Sequence, residues 1–271
     1  MNKSIKILAV LFLIPLLFSF KCSESKSNEN VKESKTVSEQ KKDSTQKQLT
    51  GLQKLVKAYP DFLEKGEDNK LYWKDGKVMT YDDGREKSSH DEKLDDPDLE
   101  DMMSQEYVAG PDWNQPPAEN FEPGRIRYEP FFAKMYGNSK SEVTQNLTTI
   151  NWFGTSVQVT TVNDVDKKFK AVKEDLEKLP SEFHKYFKKT AGTFNYRKIA
   201  GTNRYSTHSY GIAIDINTDF SDYWLWDKSL KYKNRIPVEV AEVFEKHGFI
   251  WGAKWYHYDT MHFEYRPELL Q

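Results

Sequence analysis

The chain has 271 residues, with 40 Lys and Arg against 42 Asp and Glu, a formal net charge of −2. That near balance gives no support to a nucleic-acid binder, which carries a basic excess, and a mean hydropathy of −0.81 excludes a multi-span membrane protein. A single cysteine excludes a disulfide scaffold or a cysteine-rich zinc module.

Lys3 and Lys6 precede an apolar run, Ile7 to Phe20. These 14 residues match the apolar segment of a signal peptide. They fall short of the roughly 20 that a spanning helix needs. Cys22 follows at once. A lone cysteine there resembles the lipid-modified cysteine of bacterial lipoproteins, with Ser19 and Lys21 standing where such signals have Leu and a small residue. A plain secretion signal is the alternative. Residues 23–48 are Ser, Glu, Lys, Asn and Gln with almost no apolar content, a composition that cannot offset its ordering entropy. The expectation is a signal peptide over 1–21, a disordered tether over 22–48, and an exported protein in the cell envelope, held to a membrane through a lipid on Cys22.

Residues 49–150 read as an accessory region of unknown role. Leu71 to Tyr81 predicts a hairpin turning at Asp75-Gly76. Residues 82–101 hold ten acidic and three basic side chains, the composition of a solvated loop, with a calcium site as the alternative. Pro111 to Pro123 is Pro-rich and predicts irregular chain.

Val165, Phe169, Val172, Leu176 and Leu179 recur at steps of four and three, the stripe of an amphipathic helix. Asn163 or Asp164 is its cap and Pro180 its end. A short helix with Phe183, Tyr186 and Phe187 on one face follows. Gly211 to Asn217 alternates as a strand, with Ile212, Ile214 and Ile216 on one face and Ala213, Asp215 and Asn217 on the other. Pro237 opens a helix that Gly248 closes. From Thr260 to Tyr265, Met261 and Phe263 point one way, His262 and Glu264 the other. This order predicts an α+β fold, a small antiparallel sheet with flanking helices.

Asp215 on the polar face of an apolar strand is costly unless paired or bound to metal. With His208 seven residues before it and His262 on the last strand, it completes a three-ligand zinc set with the fourth position open. The alternative for each is a hydrogen-bonded structural group.

Ser206-Thr-His208-Ser-Tyr-Gly211-Ile-Ala213-Ile-Asp215 resembles the S-x-H-x-x-G-x-A-x-D signature of the M15 peptidases, and His257-Tyr-Asp259-Thr-Met-His262-Phe-Glu264 resembles their second motif. The family contains zinc D-Ala-D-Ala carboxypeptidases and L-alanyl-D-glutamate endopeptidases. The resemblance covers residues 180–271 and assigns 151–271 to an M15-like zinc peptidase domain with the fold shared by DD-peptidases and hedgehog domains. It implies Zn2+ held by His208, Asp215 and His262. It implies Asp259 as the base that takes a proton from the attacking water, and His257 as an oxyanion donor. It implies Arg197, with Arg204 as competitor, as the cation that holds a substrate carboxylate. Ser206 binds substrate or supports the site, and Trp251 and Trp255 wall the cleft or pack the core. The expected substrates are peptidoglycan stem peptides, cut at a terminal D-Ala or at L-Ala–D-Glu. A non-catalytic wall-binding or signalling module is the rival reading, and a hydrolase of other small peptides a third.

Overall fold

A computed structural model describes residues 49–226 and 231–271. The expected signal peptide and tether, Cys22 included, lie outside the described residues. No helix among the described residues is long and apolar enough to cross a membrane.

Helix α1, Gly51–Ala58, starts at Thr50, whose hydroxyl accepts from the Gln53 amide while Gln53 answers the Thr50 amide. A three-stranded antiparallel sheet follows, formed by β1 Leu63–Glu67, β2 Lys70–Trp73 and β3 Val78–Thr80. The hairpin at Asp75-Gly76 joins β2 to β3 as the sequence predicts. The β1–β2 turn at Asp68-Asn69, with φ of 48° and 61°, was not legible, since neither residue is glycine.

The acidic stretch is not a solvated loop. Ser89 and Asp98 cap two short helices, α2 His90–Asp95 and α3 Leu99–Met102, each through a capping box. Lys87, almost fully buried, places its ammonium 2.6 Å from Asp101 and 3.4–3.5 Å from Asp83 and Asp98. A side-chain cation thus sits among the acids that a metal would need.

Helix α4, Glu129–Tyr136, and α5, Lys140–Gln145, lead into a hairpin of β4 Leu147–Trp152 and β5 Thr155–Thr160. Helix α6 spans Val165–Leu176 and buries Val165, Phe169, Val172 and Leu176. Asp164 holds the cap position in a left-handed conformation without a capping hydrogen bond, and pairs with Lys167 instead. The helix stops at Leu176, so Leu179 packs from the turn beyond it.

Helix α7, His184–Phe187, precedes the central sheet. Its strands are β6 Thr190–Gly192, β7 Ala213–Ile216, β8 Phe249–Trp251 and β9 His262–Tyr265, in the order β6-β7-β9-β8, all antiparallel, with α8 Val238–Lys246 between β7 and β8. The fold is α+β, as the alternating patterns predict. Ile214 pairs with Phe263 and turns to the helices, where the Phe244 ring of α8 stacks on Phe263 at 3.9 Å. Asp215 pairs with His262 on the opposite face.

One hydrophobic core runs through residues on both sides of position 150: Leu55, Trp73, Phe131 and Phe132 belong to the same cluster as Ile214, Phe244 and Phe263. Strand β4 itself runs across that position. The front region also packs on the turn that carries His208, because the Phe132 ring stacks on Tyr210 at 5.9 Å and Tyr210 donates to Glu129 at 2.9 Å.

Candidate functional site

The turn Thr207–Tyr210 ends at Gly211, whose φ of 69° favours glycine and whose missing Cβ would stand 2.8 Å from Leu147 and 3.0 Å from the Thr160 nitrogen. This turn aims His208 at the polar face of β7 and β9. There the His208 Nε2, the His262 Nδ1 and one Asp215 oxygen converge at 3.0–3.2 Å from one another. Ligands about 2.0–2.1 Å from a tetrahedral ion stand roughly 3.3 Å apart, so the spacing fits one.

The ring tautomers also fit. His208 Nδ1 meets the Thr193 carbonyl at 2.5 Å, and a carbonyl only accepts, so Nδ1 carries the hydrogen and Nε2 keeps its lone pair. His262 Nε2 donates to Glu264 at 3.0 Å, which leaves Nδ1 to face inward. A carboxylate behind a ligating imidazole fixes the ring and raises its basicity. Glu264 is fixed in turn by Thr207 at 2.8 Å and by Arg266, which also pairs with Glu268; Tyr59, the C-cap of α1, donates to Glu268 at 2.6 Å.

Electrostatics follow from this crowding. Burial alone would raise Asp215, but His208 and His262 hold its carboxyl far below the usual carboxylate range. Burial opposes a charged His262, yet Asp215 and Glu264 outweigh it and push the ring up to about 10. A divalent ion would take the place of that proton. Asp259 behaves in the opposite way: burial, then the Asp215 charge, pushes it up to about 6. Its Oδ1 is buried without a hydrogen-bond partner among the described residues. Gly252 allows this approach, since a Cβ there would stand 2.5 Å from the Asp259 carbonyl.

These groups open on a cleft of about 350 Å³. His208, Asp215, His262, Asp259, Ser206, Arg197 and Arg204 all line it. Ser209 holds Arg197 in place: its hydroxyl accepts from the Arg197 amide at 2.9 Å and donates to the Arg197 carbonyl at 2.8 Å. Trp255 lines the cleft, its ring tilted against His262 at 5.6 Å, whereas Trp251 is core, wholly buried against Phe263.

His257 is not brought to the cleft lining. Its Nδ1 pairs with Glu122 at 2.5 Å, its amide donates to the same carboxylate at 2.8 Å, and its ring lies 4.4 Å from Trp224. Glu122 thus fixes the ring through Nδ1, which leaves Nε2 as the nitrogen that the expected oxyanion role would use. Residues that sequence reading missed include Glu264, Thr193 and Thr207 behind the imidazoles, and Arg125 and Arg127 in the cleft wall. Glu264 shares a strand face with His262, and that period was the one available signal. Nothing in the sequence linked Arg125 or Arg127 to the site.

Residues 200–265 match the family model described as D-alanyl-D-alanine carboxypeptidase. This match supports a peptidase of the M15 family. The matched stretch contains the two imidazoles, Asp215 and Asp259, whereas Arg197, Arg125 and Arg127 lie outside it. No curated protein and no solved structure matches the chain.

Proposed function

We propose that the protein is an exported zinc peptidase that hydrolyses peptide bonds in peptidoglycan stem peptides. The observation that carries this reading is the convergence of three inward-facing ligand atoms in one cleft with Asp259, whose buried Oδ1 has no hydrogen-bond partner among the described residues. A zinc ion held by His208, Asp215 and His262 would polarise the scissile carbonyl and acidify the attacking water. Asp259 takes the proton from that water and passes it to the leaving amine. Its raised pKa suits both halves of the transfer. Glu264 and the Thr193 carbonyl keep the two imidazoles in the ligating tautomer. Arg197, exposed at the cleft and held through its backbone by Ser209, supplies a guanidinium for a substrate carboxylate.

The scissile bond is the one before a terminal D-Ala or the L-Ala–D-Glu bond. The run from Ile7 to Phe20 followed by Cys22 supports export and a lipid anchor on the membrane. Mass spectrometry of products from defined stem peptides, incubated with the zinc-loaded protein, tests the reading. Loss of D-Ala, or a cut after L-Ala, is expected, and both cease on chelation. Intact peptides at every zinc level would contradict it and leave the non-catalytic wall-binding module.

A further inference from the structure

Among the described residues, four large hydrophobic side chains are strongly exposed: Val78, Val108, Leu225 and Trp226. The first two stand apart, one on β3 and one in the irregular chain after α3, and single exposed apolar residues are ordinary. The last two are consecutive, 56% and 62% exposed, and lie at the cleft. Leu225 lines that cleft together with Tyr223 and Trp224. Trp226 continues the same edge beyond it, its ring meeting that of Tyr223 edge to face at 5.8 Å.

The turn that carries these side chains is held in place. Tyr223 pairs with Asp259 in an isolated antiparallel bridge. The Trp224 amide donates to the Tyr258 carbonyl at 3.0 Å and the Trp226 amide to the Tyr223 carbonyl at 2.9 Å. Just before them, the Thr260 amide donates to the Asp222 carbonyl at 3.0 Å, and the Asp222 amide to the Thr260 hydroxyl at 2.7 Å. Arg235 clamps the other side, on the Asp222 carboxylate at 3.0 Å and the Ser221 carbonyl at 2.5 Å. The exposed indole and Leu225 are therefore fixed to the segment that carries Asp259. A contiguous apolar surface kept in water marks a binding face, and its rigidity lowers the ordering cost of a partner.

The partner has to share this edge with whatever fills the cleft, because Leu225 belongs to both. A lipid bilayer or a second copy of the chain seated on Leu225 and Trp226 would close the cleft mouth. A slender molecule continuous with the bound peptide would not. The peptide residues beside the expected scissile bonds, D-Ala, L-Ala and D-Glu, carry methyl or carboxylate side chains and leave an indole uncovered. The sugar that bears a stem peptide has the matching shape: a pyranose ring offers a flat face of C–H groups to an aromatic ring and keeps its hydroxyls at the edge, in water.

We propose that Leu225 and Trp226 form a saccharide platform at the rim of the cleft, on which the glycan bearing the stem peptide stacks. This rests on the peptidoglycan reading for the identity of the ligand. Its consequence is a preference for glycan-linked peptides over free ones.

The test uses the full-length, zinc-loaded protein with Trp226, Trp226→Ala or Trp226→Phe, equal bound zinc reporting an intact fold in all three. The ratio of kcat/KM for a pentapeptide joined to its disaccharide to that for the free pentapeptide should fall about tenfold in Trp226→Ala. Trp226→Phe, which keeps a flat ring, should retain most of the preference. Calorimetry with peptide-free glycan strands should detect binding by the unmutated protein and a loss of about tenfold in Trp226→Ala. A ratio untouched by Trp226→Ala, or no binding of the strands by the unmutated protein, overturns the platform. So does glycan binding that survives Trp226→Ala while sedimentation with phosphatidylglycerol vesicles is lost or a dimer dissociates, which would give the face to a membrane or to a second copy. If the strands bind through Trp226 and no peptide is cut, the platform stands and the peptidase reading falls. If peptides are cut and Trp226→Ala keeps the full preference for the glycan-linked form, the platform falls alone.

Discussion

His208 and His262 each commit one ring nitrogen to a protein oxygen, and that commitment aims the other nitrogen inward. The Glu264 carboxylate is the more consequential partner, since it is buried and charged. Glu264→Gln keeps the shape and removes the charge. It should weaken zinc binding about 10- to 100-fold, read by competition with a chelator; unchanged affinity would show that the ring needs no carboxylate behind it. Asp259 sets the acid limb of activity in the proposed mechanism. A base must be unprotonated to accept a proton, so kcat/KM should fall as pH drops through a pKa at or below about 6, because a bound cation lowers the metal-free value. A profile flat down to pH about 4 would remove Asp259 from that role. At this scale the sequence was legible where period two applies: Asp215 and His262 were assigned to polar strand faces, and the register sets them opposite each other. It was not legible where partners are far apart in the chain. Glu122 meets His257 across 135 positions, and Arg127 meets Tyr205 across 78.

The elements that carry the site are short, and their geometry depends on backbone that only certain residues allow. Strands β7 and β9 have four residues each, and their apolar alternation on Ile214 and Phe263 fixes which face is polar. A slip of one residue would turn Asp215 into the core. The turn before β7 depends on Gly211 for both its φ and its closeness to β5. Gly211→Ala should destabilise the fold by about 1–3 kcal/mol, seen in thermal or denaturant unfolding. An unchanged midpoint would mean that the turn relaxes freely. Helices α6 and α8 and the β2–β3 hairpin were readable because each has a local signal: a stripe, a proline and glycine pair, a turn dipeptide. The β1–β2 hairpin and the two capped helices of the acidic stretch were not, since charge density masked the Ser89-Glu92 and Asp98-Asp101 boxes.

At the scale of the whole molecule, the region before residue 150 is part of the structure that holds the site. It supplies core side chains, the Tyr59 contact to Glu268 across 209 positions, and two arginines of the cleft. It also supplies Glu122, buried against His257, His90 and Arg125. Burial would raise Glu122, but these partners hold it well below the usual carboxylate range. A group depressed in the folded state stabilises above its unfolded pKa, and that contribution is lost as pH falls toward the folded value. Glu122→Gln should therefore lower the melting temperature at pH 7, with the difference shrinking as pH falls below about 4.3. A difference constant with pH would assign the effect to packing instead.

The central claim is that the ligand group and Asp259 together cut peptidoglycan peptides. It is tested most directly by incubating purified peptidoglycan with the zinc-loaded protein and with its Asp259→Asn variant, measuring bound zinc and released D-Ala or peptide fragments together. Both proteins should bind one zinc ion, and the variant should release product about 10²- to 10⁴-fold more slowly. Equal release by both, or none by either while zinc stays bound, would contradict the account.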